Sequence, residues 1–146
     1  MDDLRESRVR HIFDSANFVR DLGMELTRVE DGSCEITLVP VARHQQQHGL
    51  IHAGVLAIMA DHVAGCAARS VVGADEDVLT VEFKINFLRP ALADRLRCRA
   101  QVLRAGKTLV VIESEVFAEK DSAEQLVSKA TVTLAVKESL DLGRPR

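Results

Sequence analysis

Asp61 is the one carboxylate in a long apolar run, Leu56-Ala57-Ile58-Met59-Ala60-Asp61. On a helix its neighbours three or four positions away are Ala57, Ile58, Ala64 and Gly65, none of which can neutralise it. A carboxylate buried without partners is costly and its pKa rises, which suits a base or nucleophile. The competing reading is a carboxylate on an exposed stripe. Upstream, His52-Ala53-Gly54 opens the same helix. The first backbone N–H groups of a helix have no intrahelical partner and carry the positive end of its dipole. They could stabilise negative charge developing on an ester or thioester carbonyl oxygen. Gly54 removes one side chain from that approach and Ala53 adds only a methyl. An ordinary helix start is the simpler explanation of this turn taken alone.

The two features constrain each other. Gly54 and Asp61 lie on nearly the same helix face, separated by roughly 10 Å along the axis. One substrate carbon cannot touch both within one chain. Two such helices packed antiparallel about a twofold axis would set Asp61 of one against the Gly54 end of the other.

The positioning elements follow from periodicity. Residues 1–20 read as a short amphipathic helix ending near Gly23. Two short strands are expected at Met24–Val29 and Ser33–Val39, joined by Asp31-Gly32. His44 to His48 is polar loop. From Gly54 to Val72 the chain is apolar around most of a helical circumference, so this helix is buried, with Gly73 as its stop. Small residues in its second half, Gly65 to Ala68, imply a close packing partner. In Val78–Leu88 the period becomes two: Leu79, Val81, Phe83, Ile85 and Phe87 on one face, Thr80, Glu82, Lys84 and Asn86 on the other. Arg95–Leu103, Thr108–Glu119 and Leu126–Lys137 are further strands without intervening helices, hence antiparallel. The expected fold class is α+β: a long helix wrapped by a twisted antiparallel sheet of five to six strands, as a single domain over 1–146 with a charged tail at 139–146.

Composition narrows the function. The chain is 47% apolar and 28% charged with a net charge of -3, which fits a globular domain and disfavours nucleic acid as partner. Trp and Tyr are absent, leaving five Phe to stack on bases. Cys34, Cys66 and Cys98 are widely spaced and odd in number, which reads as reduced thiols in a cytoplasmic protein. No segment is apolar for long enough to span a bilayer, and the charged start MDDLRESRVR has no signal-peptide core. No membrane partner is expected.

At the helix start the sequence resembles the hotdog-fold thioesterases, in their phenylacetate-degradation (PaaI-like) branch. That branch has an Asn, a His-Gly-Gly turn six residues later and an Asp seven residues after the second Gly. Here the spacing is kept by Gln46, His52-Ala53-Gly54 and Asp61. Gln46 stands for the Asn and Ala53 for the first Gly, with Gln45 or Gln47 as other candidates for the Asn position. The resemblance continues through Thr80–Ala91 and Val102–Leu109, covering roughly residues 20–138. It implies an acyl-CoA or aryl-CoA thioesterase. Asp61 would be nucleophile or general base, and the Ala53 N–H would polarise the carbonyl, with His52 and Gly54 in the same turn. Thr80 would place the water or the carboxylate, and Gln46 would contact the thioester. It further implies a homodimer as minimal unit, a homotetramer of paired dimers, and no cofactor or metal beyond the coenzyme A thioester substrate.

Remaining candidates carry weaker signals. Arg89 and Lys107, in a basic group with Arg95, Arg97, Arg99 and Arg104, are the choices for coenzyme A phosphates. His44 reads as an exposed loop residue, and His48 and His52 as residues that order the loop. His62 points about 100° away from Asp61 and is a poor dyad partner. Cys66 reads as buried packing. Two other functions fit the same residues: a hotdog hydroxyacyl-thioester dehydratase, and a non-catalytic acyl-CoA-binding protein.

Overall fold

The structure, a computed structural model, describes residues 2–139. Beyond Ser139 the expected charged tail lies outside the described residues. Two short helices, α1 (Asp3–Ser15) and α2 (Asn17–Leu22), precede strands β1 (Glu25–Glu30) and β2 (Ser33–Leu38). The long helix α3 (Ala53–Arg69) follows, then four long strands: β3 (Glu76–Phe87), β4 (Arg95–Ala105), β5 (Leu109–Lys120) and β6 (Ala123–Glu138). All strand pairs are antiparallel, in the order β1-β2-β4-β5-β6-β3. The sheet therefore has six strands, with β1 and β3 at its edges, and it wraps α3 as periodicity predicted.

The inner face is built by one residue in two. Ile36 pairs with Cys98 and Cys98 with Val116, while Ala100 pairs with Ser114 and Ser114 with Ala130; all are buried. Against this face lie Leu56, Met59, Val63, Ala64 and Ala67 of α3. Met59 and Val63 keep no exposed surface, and such burial is worth about 1.5–3 kcal/mol per side chain. Small inner residues let helix and sheet approach closely: the Ser114 hydroxyl donates to the Ala60 carbonyl at 2.8 Å. Burial pushes the Cys34 thiol up to about 12 and raises Cys66 and Cys98 as well, so all three cysteines are inert packing thiols.

Four local expectations change. The amphipathic N-terminus is two helices with a break at Ala16; the second ends at Gly23 in the left-handed region (φ 85°). Gly73 does not stop α3, which ends at Arg69. There the Arg69 guanidinium donates to the Gly73 and Ala74 carbonyls, both at 3.1 Å, and the Ser70 hydroxyl donates to Ala67. His44 is buried rather than exposed: its Nδ1 accepts from the Val41 N–H at 2.9 Å and its Nε2 lies 2.7 Å from the Leu22 carbonyl, tying the loop to α2.

The fourth change governs the site. Strict alternation fails in β3, because Thr80 pairs with Leu134 and Glu82 with Thr133, leaving Val81 as an extra, bulged residue. The bulge shifts the face parity. Thr80, opposite buried Leu134, now shares the inner face with Phe83, Ile85 and Phe87, opposite Val132, Ala130 and Ser128.

Candidate functional site

Asp61 and Thr80 meet because of that bulge. The Thr80 hydroxyl donates to Asp61 Oδ1 at 2.7 Å. The carboxylate is half-buried at the seam between α3 and β3, and Oδ2 receives no hydrogen bond among the described residues. One oxygen is thus held by a neutral donor while the other is open. Asp61 is neither orphaned in the core nor fully solvated, which resolves the two sequence readings into a third.

The helix start is organised by His52. It is the N-cap residue, in extended conformation (φ -61°, ψ 134°), and its Nδ1 accepts the Gly54 N–H at 2.8 Å. A Cβ on Gly54 would stand 2.9 Å from that Nδ1, so the cap requires glycine there. The Gly54 N–H is therefore engaged. The Ala53 N–H has no acceptor among the described residues and Ala53 is an exposed residue, which leaves that N–H as the free donor at the positive end of α3. Ala53 has no positive φ, so its methyl introduces no backbone strain.

Gln46 lies beside it. The loop turns tightly, with the Gln46 N–H donating to the Leu50 carbonyl at 2.8 Å and Gly49 at φ 79°. The Gln46 side-chain carbonyl accepts from the His48 N–H, folding the longer side chain back onto its own turn. A cavity of about 540 Å³ brings Gln46, His52, Ala53, Leu56, Phe87 and Arg89 together. Arg89 is fixed there by donating to the Leu126 carbonyl at 2.7 Å. Lys107 is not in this group. Its hairpin adjoins Val136, at the far end of β6 from Leu126 and Val127, which meet Arg89. Of the other arginines, Arg97 is committed elsewhere: it pairs with Glu35 at 3.0 Å and Glu124 at 2.7 Å and lies over the Phe117 ring.

Asp61 and Thr80 border a different cavity, of about 330 Å³, which the Gln46 group does not reach. One chain therefore holds these two groups of residues apart, at opposite ends of the α3–β3 seam. Ile12 and His62 also line the second cavity, and Phe13 packs on the His62 ring with centroids 5.2 Å apart. The helical pattern of residues 1–20 gave no signal that α1 would roof the carboxylate. Among the described residues no group of three or more His, Cys, Asp or Glu converges as a metal site.

Known proteins resemble this chain in sequence and fold. A family model described as the thioesterase superfamily matches residues 48–124, spanning the helix start, Asp61 and Thr80. The chain is 29% identical over 116 residues to a 1,4-dihydroxy-2-naphthoyl-CoA hydrolase of Listeria monocytogenes, covering 80% of this chain and 92% of that one. It is 30% identical over 135 residues to a medium/long-chain acyl-CoA thioesterase of Escherichia coli, covering 82% and 84%. A crystal structure of a thioesterase family protein from Silicibacter pomeroyi superposes with a TM-score of 0.91 at 33% identity, covering 92% of this chain and 99% of that one. A sheet-wrapped helix opened by His52-Ala53-Gly54, with the matched family model, places the chain in the thioesterase superfamily as a hotdog-fold thioester hydrolase.

Proposed function

We propose that the protein hydrolyses a coenzyme A thioester of an acyl or aryl acid in a site completed by two chains. The observation that carries this is the 2.7 Å Thr80–Asp61 hydrogen bond, which leaves one carboxylate oxygen open at the seam. Asp61 either attacks the thioester carbonyl carbon, forming a mixed anhydride that water then hydrolyses to the free acid, or takes a proton from the water that attacks; in both cases the C–S bond breaks and coenzyme A leaves as a thiolate that takes up the water's proton to become the thiol. The Ala53 N–H receives the oxyanion. Gln46 offers its remaining amide N–H groups to the thioester end of the substrate. The relatives above act on an aryl and on alkyl thioesters, which brackets the substrate class.

Two features support a dimer. Helix α3 is buried except along one stripe, in which Ala53 and Gly54 are followed by half-exposed Ala57, Ile58 and Asp61. Edge strand β3 offers twelve residues without a partner on one side and exposes Val81, Phe83 and Phe87 beside that stripe. Antiparallel β3 pairing about a twofold axis crosses the two α3 helices near Ala57, midway between Ala53 and Asp61. It sets Asp61 and Thr80 of one chain against Ala53, Gln46 and Arg89 of the other. The same operation brings the distant Lys107 end of one chain toward the Arg89 end of its partner, where both could meet the nucleotide phosphates. Pairing of dimers into a tetramer follows the family resemblance. No described helix is long and apolar enough to cross a membrane; with three free thiols, a cytoplasmic location is proposed.

The test is release of free coenzyme A thiol from a panel of acyl-CoA and aryl-CoA thioesters. Parent protein turns over at least one member and Asp61→Asn does not. Equal rates for the two proteins would overturn the assignment, and tight binding without turnover by the parent would leave only a binding protein.

A further inference from the structure

The start of α3 depends on a residue that touches no substrate in the mechanism above. His44 is buried, with 1% of its surface exposed, at the base of the loop that carries Gln46 and ends at His52. Four hydrogen bonds converge on it. Its N–H donates to the Val41 carbonyl at 2.9 Å, and its carbonyl accepts from the His52 N–H at 2.8 Å. Its ring Nδ1 accepts from the Val41 N–H at 2.9 Å, so the ring proton sits on Nε2, which donates to the Leu22 carbonyl at 2.7 Å. Leu22 is the last residue of α2, and its carbonyl has no partner within that helix. The ring therefore ties the loop to an element outside it.

One residue links His44 to the oxyanion donor. His52 is the N-cap of α3 and all its backbone hydrogen-bonding groups are engaged: its N–H on His44, its carbonyl by the Val55 N–H at 2.9 Å. The Ala53 N–H belongs to the peptide that follows His52, so the orientation of His52 sets its direction. Gln46, by contrast, is held by its own turn, through Leu50 and the Gln45–Ile51 bridge.

Resting on the thioesterase reading of this site, we propose that His44 is a positioning residue. By tying the loop to α2 it holds His52, and through His52 it aims the Ala53 N–H at the thioester carbonyl. An oxyanion donor acts on the transition state more than on the bound substrate, so loss of the ring falls on kcat rather than KM.

Steady-state kinetics on the parent's best thioester test this, with thermal midpoints measured beside them. His44→Leu removes both ring hydrogen bonds. At a temperature where it is folded, its kcat falls by about tenfold to a hundredfold while KM stays within about threefold. His44→Gln sets an amide N–H near the place of Nε2, restores the bond to Leu22 and recovers most of the loss. His44→Asn reaches only Val41 and does not. In an Ala53→Pro background His44→Leu costs about twofold or less, because the N–H that His44 aims is already gone. Where His44→Leu does not fold, the comparison of His44→Gln with His44→Asn carries the test. Full activity in folded His44→Leu overturns the proposal, as does a loss that multiplies with that of Ala53→Pro, or His44→Gln no faster than His44→Asn. No turnover of any thioester by the parent would instead sink the function on which the proposal rests.

Discussion

Two atoms carry the chemistry proposed here, the open oxygen of Asp61 and the free N–H of Ala53, and each can be removed without disturbing the fold. Asp61→Asn keeps the acceptor for Thr80 and removes the base; kcat/KM should fall by about 10²–10⁴. Thr80→Val removes the donor that orients the carboxylate. A misplaced reacting group costs up to about 10²-fold, so a loss in kcat of that order with a smaller change in KM is expected from steady-state kinetics. Ala53 allows a sharper test. It is the first residue of α3, where proline is well tolerated because that N–H has no helical partner. The preceding His52 already has the extended conformation that a following proline favours. Ala53→Pro should therefore keep its thermal midpoint within a few degrees while kcat falls by about 10²–10³, the loss typical of one oxyanion donor. A folded Ala53→Pro with full activity would remove that N–H from the mechanism.

At the scale of elements, much of this was legible in the sequence, and the misses share a cause. Apolar periodicity located α3 and all six strands because a buried face imposes a period that a single chain displays. The His52–Asp61 spacing set the helix start and the carboxylate at separate points along α3 because helix geometry fixes their distance. The Val81 bulge was invisible, since Leu79, Val81, Phe83, Ile85 and Phe87 alternate without interruption; only the pairing with Leu134 and Thr133 shows that the parity shifts. Without that shift Thr80 would face away from Asp61. His44 was misread because its burial depends on a contact with the Leu22 carbonyl, 22 residues away. The roofing of His62 by α1 is a tertiary contact of the same kind, and it has a consequence for pH. Burial lowers the His62 pKa below 6.5, with the nearby Asp61 charge opposing the shift. The unfolded chain then binds more protons than the folded one, so stability from this group is present above about pH 6.5 and is lost as pH falls below it. The drop in thermal midpoint between pH 7.5 and pH 5 should be smaller in His62→Phe than in the parent. An identical drop in both would mean that His62 is not buried as a neutral ring.

For the molecule as a whole, the separation of Ala53 from Asp61 on one rigid helix is decisive. Eight residues of helix set their backbones about 12 Å apart, and no side-chain adjustment brings the Ala53 N–H to a carbonyl touched by Asp61 of the same chain. If the site is shared, two separately inactive chains must rescue each other. Asp61→Asn retains a sound helix start, and Ala53→Pro retains a sound carboxylate. In a mixed dimer, one site combines Asp61 of the second chain with Ala53 of the first and is intact; the other carries both defects. Equal mixing makes half the dimers mixed, each with one good site of two, so activity should recover to about a quarter of the parent level. Phe83→Asp offers the converse test. It sets a charge on the exposed apolar part of β3 beside the α3 stripe, so it should yield monomers by light scattering and, with them, loss of turnover. Mixed dimers that form, as shown by differently tagged chains, but recover no activity would mean that Asp61 and Ala53 must be supplied by the same chain and would end the shared-site proposal. Full activity in a Phe83→Asp monomer would do the same from the other side, because it would show one chain to be sufficient.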